Sequence, residues 1–107
     1  MALYFCPMPC YKIHINGAVY KTGFRYYLKA KAELLGVTGQ VFYENENTVG
    51  VIAAGSEEKI NRFLKFCETG YPPAQIESTK ISETPHQEFS SFDVVDEKPE
   101  TLGMRND

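Results

Sequence analysis

An α+β sandwich, an antiparallel sheet with two helices packed on one face, is the fold class this sequence predicts, and three observations carry it. Apolar residues alternate at period two near the N-terminus, two strand-like runs follow around residues 40–54, and β-biased runs come after residue 75. Between these runs, two windows switch to helical spacing. The order strand, helix, strand, strand, helix, strand is the split βαβ arrangement, which builds a ferredoxin-like βαββαβ sandwich.

The first strand is read from "CYKIHING", where Tyr11, Ile13 and Ile15 alternate with Lys12, His14 and Asn16. That period puts one face on a core and the other toward water. From Phe24 the spacing changes: Phe24, Leu28, Ala32 and Leu35 share one helical face, with Lys29, Lys31 and Glu33 toward solvent, until Gly36 stops the helix. The stretch "QVFYENENTVGVIAAG" holds two strand-like runs around Glu44-Asn45-Glu46-Asn47, where asparagine tolerates the backbone angles of a tight turn. A β-hairpin is expected.

Ser56 is a good N-cap, and Glu57 and Glu58 sit at the positive end of a helix dipole. Ile60, Phe63, Leu64 and Cys67 then form the apolar stripe of a second helix ending at Gly70. "GYPPAQ" is a proline-stiffened loop, and "IESTKISE" and "EFSSFDVV" give one or two final strands separated by a turn near Thr84-Pro85-His86. The domain is expected over residues 10–95, with 1–9 as an N-terminal extension and 96–107 as a disordered acidic tail.

Composition limits the function classes. The 107 residues suffice for one domain, and an apolar content of 43% suffices for one core. A net charge of −3 removes any general attraction to nucleic acid or to an anionic membrane, so a basic site must be local. No apolar stretch has membrane-spanning length and the first residues lack a signal pattern, so a cytoplasmic, monomeric protein is expected. Cys6, Cys10 and Cys67 do not have zinc-ligand spacing and read as reduced structural thiols; neither a metal nor a cofactor is expected.

His14 and His86 have no nucleophile in a catalytic pattern and read as surface residues, and Glu33, Glu57 and Glu58 as solvated helix carboxylates. Tyr26, Tyr27, Phe42 and Tyr43 give an aromatic group beside the first loop. The basic, glycine-rich signature of an RNA-binding sheet is missing, so base stacking is not expected of them.

The candidate site is the loop in "HINGAVYKTGFRYYL", residues 14–28. A strand-to-helix turn points successive backbone N–H groups toward the positive end of a helix, which suits an anion. Gly17 and Gly23 permit the turn, Arg25 offers a planar fork, and Lys21 and Thr22 add a charge and a hydroxyl. The guest this chemistry fits is a small phosphate or carboxylate. On the residues alone a second reading stands beside it, in which the glycines serve only the turn and Arg25 pairs with a surface carboxylate.

The same residues carry a resemblance. Gly17, Val19, Gly23, Phe24 and Arg25 match the signature loop of the acylphosphatase family. "AELLGVTGQV" and "AAGSEEKINRFLKFCETGYPPAQI" continue the similarity in register over roughly residues 10–95. The resemblance implies a ferredoxin-like fold and hydrolysis of the carboxyl–phosphate bond of acyl phosphates without metal or cofactor. It makes Tyr20, Lys21, Thr22, Gly23, Phe24 and Arg25 the phosphate-binding loop, with Arg25 as its main ligand.

The chain departs from the family pattern at defined places. The family's water-positioning asparagine follows Gly-x-Val-x, and counting from Gly39 through Val41 lands on Tyr43. Gly39 and Val49 keep the family spacing, so a slide that would bring Asn45 or Asn47 into place has no gap to support it. Tyr20, Lys21 and Thr22 stand where the family usually has glutamine, glycine and valine. The expected alternative to an active hydrolase is therefore an impaired member that binds an anion or a protein partner through the loop and Tyr43.

Overall fold

The computed structural model describes residues 9–70, 72 and 74–95. The expected N-terminal extension, except Pro9, and the expected acidic tail lie outside the described residues, as does Cys6. Seven elements follow one another: β1 (Cys10–Ala18), α1 (Phe24–Leu35), β2 (Thr38–Asn45), β3 (Thr48–Ala54), α2 (Glu57–Thr69), β4 (Gln75–Thr84) and β5 (Phe92–Val94). The sheet order is β4-β1-β3-β2-β5. Its first four strands pair antiparallel, as the sequence predicts, and the short β5 adds a parallel edge to β2 through Gly39↔Phe92 and Val41↔Val94.

Period-two patterning sets the two faces of the sheet. Ile13 and Ile15 of β1, Val41 of β2 and Val49 and Val51 of β3 are fully buried in one core with Phe24, Leu28 and Ala32 of α1 and with Ile60, Phe63 and Cys67 of α2. Phe92 closes this core from β5, its ring 5.6 Å from that of Phe63 in an edge contact. Burying side chains of this size stabilises by about 1.5–3 kcal/mol each, which lets a three-residue strand hold its place.

Both helices start and stop where their caps dictate. Gly23 (φ 82°) and Gly36 (φ 81°) bracket α1, and the Ser56 hydroxyl accepts the Lys59 N–H at the start of α2. Lys29 does more than face solvent. Its ammonium donates to Glu33 at 2.6 Å and to the Phe92 carbonyl at 2.8 Å, tying α1 to β5.

The hairpin turn is tighter than the polar tetrapeptide suggested, because β2 runs on to Asn45 and only Glu46 and Asn47 turn. The Asn45 side chain accepts the Asn47 N–H at 2.8 Å, the local bond that favours asparagine in turns. Register slips between Tyr43 and Asn45, so Tyr43 faces the helices opposite Val49 while Asn45 pairs with Thr48 at the turn.

Candidate functional site

The loop from Val19 to Arg25 is built from the core outward. Val19 is fully buried, and its carbonyl accepts the Thr22 hydroxyl at 2.6 Å. The Thr22 oxygen in turn accepts the Phe24 N–H at 3.3 Å. Thr22 thus ties the loop's own backbone together. Phe24 is likewise a core residue, fully buried at the start of α1.

Gly17 leads into the loop, its carbonyl accepting the Val19 N–H at 3.0 Å. It lies at a β-bulge between β1 and β4, and a Cβ there would stand 2.1 Å from the Gln75 carbonyl oxygen. The left-handed angles that turn the loop belong to Lys21 (φ 57°) and Gly23. A lysine in that region costs about 1 kcal/mol, and a specific contact offsets it: the Lys21 N–H donates to the Tyr43 hydroxyl at 2.9 Å.

Tyr43 therefore reaches from β2 into the loop. Its hydroxyl also donates weakly to the Val19 carbonyl at 3.5 Å. Its ring lies 5.1 Å from the Tyr20 ring, and the Arg25 guanidinium sits 4.3 Å from its centroid. Arg25 is also 5.6 Å from the Tyr26 ring and donates weakly to the Val95 carbonyl at 3.4 Å. The Lys21 ammonium lies 5.4 Å from the Tyr20 ring. Cations and phenol rings alternate along one wall, each pair attracted through the ring quadrupole.

Tyr20, Lys21, Gly23, Arg25, Tyr26 and Tyr43 line a pocket of about 430 Å³. Two of these six carry positive charge and none is acidic, which makes the pocket cationic in a chain of net charge −3. It lies at the positive end of α1. Physically, such a pocket favours a small anion over a cation or a neutral guest.

The aromatic group expected beside the loop is divided by the fold. Tyr43 and Tyr26 line the pocket, but Tyr27 stacks on Phe24 (5.9 Å) and meets Phe66 edge-on (6.3 Å) between the helices. Phe42 points to the opposite face of the sheet by strand parity. Tyr20, expected in the loop from the resemblance, joins the aromatic wall as well, and the direction of its ring had no sequence signal because a loop residue has no period to reveal it.

The other candidates fall away from the pocket. His14 and Lys12 lie beside Glu44, at 3.6 and 3.7 Å, on the face of the sheet without helices. His86 pairs with exposed Glu88 at 3.7 Å. Cys10 and Cys67 are buried free thiols, and burial pushes Cys67 well above the usual thiol range. Among the described residues no group of three or more His, Cys, Asp or Glu is placed to hold a metal ion. No described helix is long and apolar enough to cross a membrane.

Fold and pocket define a class: a ferredoxin-like α/β domain whose first strand-to-helix loop forms a cationic cleft. Comparison with known proteins narrows it. The sequence profile of the acylphosphatase family matches residues 11–94, and the chain belongs to that family. An acylphosphatase from Aliivibrio fischeri is 35% identical over 82 residues, covering 77% of this chain and 91% of that protein. One from Thermotoga petrophila is 32% identical over 87 residues, covering 81% and 97%. The crystal structure of acylphosphatase from Bacillus subtilis superposes with a TM-score of 0.77 at 26% identity, covering 82% of this chain and 99% of that one.

Proposed function

We propose that this protein binds a small phosphate or carboxylate at the loop, with Lys21 and Arg25 supplying the charge, and that its hydrolysis of acyl phosphates is impaired. One observation carries the second half: the Tyr43 phenol spans the cleft and takes the Lys21 N–H at 2.9 Å, with Arg25 over its ring at 4.3 Å. Tyr43 stands at the position where the family's asparagine is expected.

The reaction in question joins a water oxygen to phosphorus while the bond from phosphorus to the carboxyl oxygen breaks. A carboxylate leaves, and the water's protons go to phosphate and solvent. Little covalent work falls to the protein, so the catalytic demand is for charge at the phosphoryl oxygens and an aligned water. Arg25, Lys21 and the start of α1 meet the first demand. The phenol fails the second, because its oxygen lies a ring's length beyond the point an asparagine amide reaches from the same strand position. It occupies anion space instead of aligning a water.

Loss of one positioned polar group of this kind costs about 10²–10³ in rate, taking oxyanion donors as the guide. Turnover of acetyl phosphate and benzoyl phosphate by wild type and Arg25→Ala, with phosphate binding followed in parallel, tests the proposal. Slow or undetectable turnover with phosphate binding that Arg25→Ala abolishes is expected. Rapid turnover by wild type contradicts the impairment, and absence of phosphate binding contradicts the anion site.

A further inference from the structure

Resting on the anion site proposed above, we infer that the pocket selects anions carried on a flat aromatic ring, such as an aryl phosphate or an aromatic acyl phosphate. The pocket's volume of about 430 Å³ falls in the range of sites for whole small molecules, far more than a bare phosphate fills. Its cationic groups and its rings divide the guest's work. Lys21 and Arg25 meet the charge at the loop, while Tyr20, Tyr26 and Tyr43 supply the walls beyond it.

The exposure of two of these rings is the second observation. Tyr20 is 44% and Tyr26 58% exposed although each has a cation beside its ring. They are two of only four large hydrophobic residues exposed among those described, and both fall on this one pocket. Isolated exposed aromatics need no explanation, but a pair facing the same charged cleft forms a ring-sized apolar wall beside an anion site. A flat guest ring gains offset or edge contacts with the phenols. An alkyl chain of similar volume gains burial alone.

Methyl phosphate and phenyl phosphate share one anion and differ in the ring, so their affinities separate the two halves of the claim. In calorimetric titrations backed by amide shifts of Lys21 and Arg25, phenyl phosphate is expected to bind about tenfold tighter than methyl phosphate. Cyclohexyl phosphate, apolar but not flat, is expected to fall between the two, gaining burial without the ring contacts. Tyr26→Ala is expected to cut the preference to within about twofold and Tyr26→Phe to keep it; at 58% exposure neither change threatens the fold. Equal binding of methyl and phenyl phosphate overturns the ring selectivity while leaving the anion site intact. Equal binding of cyclohexyl and phenyl phosphate overturns it too. Binding of no ester overturns both.

Discussion

Replacing Tyr43 with phenylalanine isolates the contact on which the functional reading turns. The ring stays, and with it the Arg25 contact at 4.3 Å and the Tyr20 contact at 5.1 Å. Only the hydroxyl leaves, freeing the Lys21 N–H it now accepts at 2.9 Å. A neutral bond of this type contributes about 0.5–1.5 kcal/mol net, and at this solvent-exposed loop the lower end applies, so the variant should lose no more than about 1 kcal/mol of stability. A phosphate oxygen that reaches the freed amide makes a charge-assisted bond of about 1.5–3 kcal/mol. The difference favours phosphate by roughly 1.4 kcal/mol, a tenfold fall in Kd. Titration of inorganic phosphate against the labelled protein, reading the Lys21 amide, gives both affinity and site. Equal or weaker phosphate binding by Tyr43→Phe would refute the idea that the phenol oxygen holds an anion's place.

Two further outcomes check the frame around the site. Gly39 sits at φ 146° with the Ile52 carbonyl oxygen 1.8 Å from where a Cβ would stand, so Gly39→Ala should cost more than about 3 kcal/mol in denaturant unfolding or abolish soluble expression. Burial holds the Cys67 proton above the thiol's ordinary value of 9.0, with Glu68 adding to the shift. Stability is therefore intact below that pH and falls as pH rises above it, by up to about 1.4 kcal/mol per unit. Tyr11, raised above 10.0 by burial and by Glu57 and Glu83, steepens the loss in the same direction. Unfolding free energies measured from pH 7 to pH 10.5 should decline less steeply in Cys67→Ala than in wild type.

The sequence spelled out most of the fold because its signals are local. The Phe24, Leu28, Ala32 row and the Ser56 cap with its Ile60, Phe63, Cys67 stripe each lie within one helix, where period and cap act together. β5 was legible only as a β-biased run, since three residues carry no period and its partner lies about fifty residues earlier along the chain. At the site, Arg25, Lys21 and Tyr43 were named from spacing and family resemblance, and all three line the pocket. What escaped is directional. Nothing local says that Gly17 meets β4 at a bulge, or that a phenol on β2 ends at a loop amide twenty-two residues away. Those contacts are set by the packing of distant strands.

The ratio of kcat for Tyr43→Asn to that of wild type, measured with benzoyl phosphate at saturating substrate, tests the central claim most directly. An asparagine at this position withdraws the phenol from the cleft and restores a short amide on the strand. A rise of about 10²-fold or more is the predicted result. A wild type that already turns over rapidly, and loses rate on Tyr43→Asn, would contradict the account.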